Sequence, residues 1–177
     1  MKVTPTIFEG VVVLEPVAYP DDRGVFLETY RESAAAAWGL PLAFVQHNQS
    51  RSRRGVLRGL HLQQARPQGK LVRCVRGTIW DVVVDIQQGS PTFGRWFGVE
   101  LSDATHRQLY VPPGYAHGFQ VLSDIADVVY LCTDYYQPED EGGVRWDDPQ
   151  LDITWPDRSP LLSAKDQALP LLCELAR

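Results

Sequence analysis

The sequence predicts an all-β fold, an antiparallel sandwich or barrel forming one domain over residues 1–177, with only short peripheral helices. Three observations point there. Segments rich in Val, Ile, Tyr and Trp are short and closely spaced. Turn signals at Arg76-Gly77, Gly89-Ser90-Pro91 and Pro112-Pro113-Gly114 separate them. Helical signals are sparse.

The elements follow in chain order. Arg31–Trp38 holds four consecutive alanines and reads as a short helix that Gly39 stops. Leu71–Val75, Thr78–Ile86, Trp96–Leu101, Gln108–Val111, Gly118–Leu122 and Asp127–Thr133 read as strands. Thr78–Ile86 runs through Val82, Val83 and Val84, as a strand buried on both faces would. The Pro- and Asp-rich stretch from Asp147 to Pro160 is expected to wrap the sheet rather than form a second domain. Ser163-Ala-Lys-Asp166 has the form of a capping box, with aspartate in place of the usual Glu or Gln, ahead of a short C-terminal helix.

Composition bounds the function. The chain of 177 residues is long enough for a core, and its 44% hydrophobic and 22% charged content is ordinary for a globular protein. A net charge of −5 argues against bulk attraction to nucleic acid or an anionic membrane. The charge is unevenly placed. No Asp or Glu occurs between Ser33 and Trp80, and Arg51–Arg76 holds eight of the seventeen basic residues. That stretch lacks Phe, Tyr and Trp, so it brings no stacking platform for bases. His61 lies in its middle. Fixed cations around a titratable base suit an anionic substrate that must lose a proton.

Cys74, Cys132 and Cys173 are widely spaced and odd in number, which argues for free thiols in a reducing compartment. No signal peptide or membrane span is indicated, and the expected location is the cytoplasm.

Pro112-Pro-Gly-Tyr-Ala-His117 has the form PxGxxH, similar to the second half of the cupin signature. The first half usually supplies HxH and then a glutamate. Here it reads Gly59-Leu-His61-Leu-Gln63 and contains no glutamate. Two histidines without a carboxylate make a poor divalent site. The resemblance implies a cupin-like jelly roll (double-stranded β-helix) that keeps the cavity, with no metal and no cofactor.

A longer match begins at Phe44-Val-Gln46-His-Asn48-Gln-Ser50 and runs to Arg58-Gly-Leu-His61 and Gln68-Gly-Lys70. It continues through Asp81–Asp85, Ser90–Gly94, Pro112–Phe119, Tyr130–Tyr136, Trp146–Asp148 and Leu162–Asp166. It resembles the dTDP-4-dehydrorhamnose 3,5-epimerase family over nearly the whole chain. That resemblance implies inversion of C3 and C5 of dTDP-4-dehydro-6-deoxy-D-glucose, with His61 as base and Asp166 orienting it. Lys70 matches the cation that meets charge on O4, and Tyr130 the proton donor on the other face. Arg23 and Arg58 match diphosphate-binding positions. Glu28, Gln46 and Asn48 match positions around the thymidine, and Tyr136 a residue stacking on thymine. His117, Glu141 and Lys165 match further binding positions. The family also implies a homodimer that exchanges N-terminal strands. One departure stands out: His47 replaces an aspartate often found between the Gln and the Asn.

Plainer readings stand beside these. Tyr130 in Val128-Val-Tyr-Leu has the pattern of a core tyrosine, and Asp166 that of a helix cap. Arg51, Arg53 and Arg54 read as a solvated edge, and His106 as solvated. Tyr135 and Tyr136, if in a strand, point to opposite faces. Three functional alternatives remain: a C3-only epimerase, a non-catalytic sugar-nucleotide-binding cupin, and a metal-dependent cupin enzyme.

Overall fold

The computed structural model describes residues 1–175. Its strands are β1 (Lys2–Pro5), β2 (Val12–Glu15), β3 (Ala18–Asp21), β4 (Gly24–Leu27), β5 (Gln46–Arg53), β6 (Leu57–Gln63), β7 (Lys70–Arg76), β8 (Thr78–Asp85), β9 (Trp96–Ser102), β10 (Gln108–Val111), β11 (Tyr115–Val121), β12 (Ile125–Cys132) and β13 (Glu141–Gly143). The short helices are α1 (Glu32–Ala35), α2 (Ala164–Gln167) and α3 (Leu172–Leu175). One sheet has six strands in the order β1-β2-β10-β7-β12-β5, and a second has five in the order β13-β6-β11-β8-β9. β3 and β4 form a separate hairpin. The chain is the cupin-like jelly roll that its motifs imply.

The two sheets close over one core. Val72, Leu109 and Val128 from the six-stranded sheet meet Ile79, Val83 and Phe119 from the other. Alternate residues of β8 go the opposite way. Val82 and Val84 join Leu57 and Leu60 beneath Val144, Leu151, Trp155 and Leu172 of the C-terminal segment. β8 is therefore covered on both faces, as its run of valines requires, and the tail lies over the outer face of its sheet. None of the described helices is long and apolar enough to cross a membrane.

Most expected strands keep their places within a residue or two. The strand expected from Gly118 begins at Tyr115, because Tyr115–His117 pair with Val83–Asp85 of β8. The alanine-rich helix is shorter than expected. After α1 it tightens into a 3₁₀ turn over Ala36–Trp38, and Gly39 ends it in the left-handed region at φ 71°.

Two features of the backbone position the cavity. In β5, Gln46, Asn48 and Ser50 face the cavity, while His47, Gln49 and Arg51 are exposed on the other side. In β6 the alternation is broken. Arg58 and His61 are three apart, so a regular strand would point them to opposite faces. The pairing with β11 shifts between His117 and Phe119: His61 opposes His117, and Arg58 opposes Phe119. The extra residue on β6 forms a bulge that returns both side chains to one face. Gly59 makes it possible. It sits at φ 126°, and a Cβ there would lie 2.6 Å from the Gly118 Cα.

Candidate active site

A cavity of about 420 Å³ opens between the sheets. The six-stranded sheet lines it with Gln46, Asn48 and Ser50 of β5, Lys70 of β7 and Tyr130 of β12. The five-stranded sheet adds Arg58, His61 and Gln63 of β6 and His117 of β11. Asp166 and Lys165 enter on α2, and Tyr136 and Glu141 from the segment after β12.

His61 and Asp166 form a dyad, with Nε2 of the imidazole 2.6 Å from Oδ1 of the carboxylate. The capping box holds the aspartate: its backbone N–H donates to Ser163 Oγ at 3.0 Å. The cap and the functional reading of Asp166 thus hold together. Burial pushes the Asp166 carboxyl up. The hydrogen bond and charge of His61, with Ser163 and Arg58, outweigh this and hold it below the usual carboxylate range. An ionised Asp166 accepts a hydrogen bond from Nε2–H, which leaves Nδ1 with the basic lone pair.

Across the cavity, burial lowers Lys70 below an ordinary lysine, and Cys132, Glu141 and Asp81 only partly counter it. Burial raises the Tyr130 phenol, and the nearby Cys132 adds to this. Tyr130 therefore holds its proton at neutral pH. A base on one sheet thus faces a protonated phenol and a buried lysine on the other. That arrangement can take a proton from one face of a carbon and return one to the opposite face.

Other polar groups of the cavity wall are held in place. Arg58 Nε donates to Ser52 Oγ at 3.1 Å. His117 Nε2 lies 2.8 Å from Oδ1 of the fully buried Asp81. At the other end, Gln46 Nε2 donates to Asn48 Oδ1 at 2.9 Å, and Gln46 Oε1 accepts from the Tyr136 N–H at 2.9 Å. The Tyr136 hydroxyl and the Lys165 ammonium both donate to Glu141.

Eleven of the residues matched by sequence therefore line one cavity: Gln46, Asn48, Arg58, His61, Lys70, His117, Tyr130, Tyr136, Glu141, Lys165 and Asp166. Arg23 and Glu28 do not. Both are exposed beside the β3–β4 hairpin, where Arg23 pairs with Asp21 at 2.6 Å and Glu28 with Arg31 at 3.2 Å. Tyr135 and Tyr136 lie beyond the end of β12 rather than within a strand, and of the two only Tyr136 reaches the cavity. His47 is exposed on the far face of β5, so the departure at this position leaves the wall of the cavity unchanged.

Ser50, Ser52 and Asp81 join the site without having been expected there. The period-two row that begins at Gln46 and Asn48 would have found the two serines. A buried acid in the apolar run of β8 would have pointed to Asp81. Gln63, where the cupin motif would have a metal ligand, has a structural task. It is 4% exposed and fully committed. Its Nε2 donates to the carbonyls of Arg66 and Tyr135, and its Oε1 accepts from the Gln137 N–H. Among the described residues no group of three or more His, Cys, Asp or Glu side chains is arranged to hold a metal ion.

Comparison with known proteins places these features. The family described as dTDP-4-dehydrorhamnose 3,5-epimerase matches residues 5–174. The dTDP-4-dehydrorhamnose 3,5-epimerase of Pseudomonas aeruginosa is 50% identical over 169 residues, covering 94% of this chain and 93% of that one. The dTDP-4-dehydrorhamnose 3-epimerase of Streptomyces niveus is 46% identical over 176 residues, covering 98% and 85%. The crystal structure of dTDP-6-deoxy-D-glucose-3,5-epimerase from Legionella pneumophila, in complex with dTDP-4-keto-L-rhamnose, superposes with a TM-score of 0.93. It is 48% identical and covers 97% of this chain and 93% of that one.

Proposed function

This chain belongs to the dTDP-4-dehydrorhamnose 3,5-epimerase family, and on that premise we propose that it inverts C3 and C5 of dTDP-4-dehydro-6-deoxy-D-glucose to give dTDP-4-dehydro-L-rhamnose. The observation that carries the reading is the His61–Asp166 dyad, its histidine on one sheet and its aspartate on α2, facing Lys70 and Tyr130 on the other sheet. A proton α to a ketone leaves readily only if a base reaches it and a cation meets the charge that develops on oxygen.

In this reading His61 takes a proton from each carbon in turn, Lys70 donates to the enolate at O4, and Tyr130 protonates the opposite face. Each carbon loses one proton and gains another, so the reaction consumes no cofactor. Arg58 takes the diphosphate, where its planar fork suits phosphate oxygens, and His117 stands nearby. Gln46 and Asn48 receive the thymidine end, where Tyr136 stacks on the base and Glu141 and Lys165 border it.

We also place Arg23 and Glu28 in a partner's cavity, within a homodimer that exchanges the β3–β4 hairpin. The hairpin leaves Tyr19 59% and Phe26 71% exposed, an apolar surface that a second copy would cover. Sedimentation of a dimer at micromolar concentration is expected, and a monomer would remove this arrangement. A cytoplasmic location fits the described cysteines, all of them free thiols.

Incubation with dTDP-4-dehydro-6-deoxyglucose in D2O, followed by NMR, tests the activity. Deuterium at both C3 and C5 with inverted configuration is expected. Deuterium at C3 alone would make the protein a 3-epimerase, the activity named for the S. niveus relative. No incorporation would leave a binding protein and overturn the proposal.

A further inference from the structure

His61 stands between two carboxylates. Asp166 Oδ1 is 2.6 Å from Nε2, and Glu141 Oε1 is 3.6 Å from Nδ1. Only the first distance is a hydrogen bond. A tautomer with its proton on Nε2 fits both distances. With the Nε2–H given to Asp166, resting Nδ1 carries a lone pair, and a lone pair does not draw a carboxylate oxygen inward. Glu141 is anchored at its other oxygen, which accepts from the Tyr136 hydroxyl and the Lys165 ammonium. The Lys165 side chain is 50% exposed and that of Glu141 11%. Glu141 therefore reaches from the free nitrogen of His61 to the rim of the cavity.

The chemistry gives such a span a use. One inversion moves a proton from carbon to His61 and another from Tyr130 to carbon. It leaves an imidazolium and a phenolate. A second inversion on the same bound sugar cannot start until His61 has shed its proton and Tyr130 has regained one. A nucleotide sugar filling the cavity keeps bulk water from Nδ1.

Building on the epimerase reading above, we propose that Glu141 is the proton outlet of His61. Once Nδ1 is protonated it becomes a donor, and the imidazolium attracts the carboxylate. The proton passes from Nδ1 to Glu141 Oε1, leaving neutral imidazole and a carboxylic acid. It then leaves to water at the rim, which restores the carboxylate. The Tyr130 phenolate takes its proton from solvent, so the protein ends each inversion as it began. Burial pushes the Glu141 carboxyl up, but Lys165, Tyr136 and His61 together hold it below the usual range. The acid form is thus short-lived, as an outlet requires.

The resemblance places Glu141 among substrate-binding positions, and a purely binding role makes the opposite forecast. Glu141→Gln keeps the size of the side chain and an acceptor for Lys165 and Tyr136, but cannot carry the proton. With saturating substrate in D2O, the first exchange should proceed while the second inversion slows about tenfold to a hundredfold, within the range of positioned proton-transfer groups. The singly inverted sugar should accumulate, whatever the change in affinity for dTDP. Glu141→Ala should behave alike, and added formate, a carboxylate small enough for the vacated space, should restore the second inversion.

Two results would overturn the outlet. One is weaker dTDP affinity with kcat unchanged in Glu141→Gln. The other is equal slowing of both inversions with no response of Glu141→Ala to formate. Wild-type protein that exchanges no deuterium at all would overturn the epimerase reading, and the outlet with it.

Discussion

His61 Nε2 and Asp166 Oδ1 meet at 2.6 Å although 105 residues separate them in the chain. One belongs to a sheet strand and the other to the first turn of a four-residue helix. The contact fixes which ring nitrogen carries the proton. Asp166→Asn keeps the shape but offers an amide N–H to Nε2, which favours the tautomer protonated at Nδ1. The base should then be blocked where it has to act. We expect kcat to fall about 10²–10⁴-fold, with dTDP affinity in calorimetry close to wild type. A variant that retains most of its kcat would reduce Asp166 to a helix cap.

His61 and Tyr130 should fail differently when removed. His61→Ala should abolish exchange at C3 and C5 together, since both protons leave through one base. Tyr130→Phe keeps the ring in its packing and removes only the hydroxyl. The enolate can still form and regain a solvent deuteron on its original face, so inversion should fall more than wash-in with retained configuration. The NMR experiment in D2O reads both quantities at once. Equal loss of exchange and inversion in Tyr130→Phe would argue against a dedicated donor, and normal exchange at either carbon in His61→Ala would argue against a single base.

Arg58 and Ser52 test the anion site as a pair. Arg58→Ala removes a charge-assisted partner worth about 1.5–3 kcal/mol, so dTDP affinity should drop on the order of tenfold to a hundredfold. Ser52→Ala leaves the charge and loses only the hydroxyl that accepts from Nε at 3.1 Å. Its effect should be a few-fold, about the worth of one neutral hydrogen bond. Titration calorimetry separates the two, and an Arg58→Ala variant with unaltered affinity would take Arg58 out of the site.

Activity should fail in base earlier than an ordinary lysine would allow. Lys70 must be protonated to meet a developing enolate, and burial lowers its pKa from the usual 10.5. The active ammonium is therefore full below the lowered pKa and lost as pH rises through it. Tyr130 moves the opposite way, so it adds nothing to the same limb. Lys70→Arg keeps its charge across this range and should extend the active range to higher pH, at a reduced rate. A kcat/KM profile whose alkaline limb stays in place in Lys70→Arg would assign that limb to another group.

The fold was legible where burial writes a pattern. β8 and β12 carry runs of valine because each is an interior strand, paired on both edges, β8 with β11 and β9 and β12 with β7 and β5. β5 and β6 carry no strand signal in the sequence. β5 is an edge strand with solvent on one face and a polar cavity on the other, so Gln46–Arg53 shows no apolar alternation. β6 hides its own period, since the bulge at Gly59 shifts the parity between Arg58 and His61.

The site was legible chiefly through the long motif. Charge alone marks the basic stretch around His61, whereas nothing in Val128-Val-Tyr-Leu distinguishes Tyr130 from a core tyrosine. Nothing local tells Arg23 and Glu28 apart from cavity residues, because what distinguishes them is the detached hairpin that bears them. The hub at Glu141 was beyond reach for a similar reason, since Tyr136 and Lys165 converge on it only once α2 packs against β6.

Gln63 has a consequence for how this barrel could change. It stands where metal-binding cupins place a histidine, and its amide is bonded to the main chain at Arg66, Tyr135 and Gln137. Gln63→His would supply an imidazole but could not reproduce all three bonds. The chain on either side of Tyr136 would lose its anchor in the same step that gained the ligand. The way back to a metal centre is thus a two-step path with an impaired intermediate. Anyone grafting a metal onto this scaffold would first need a new tether for residues 135–137.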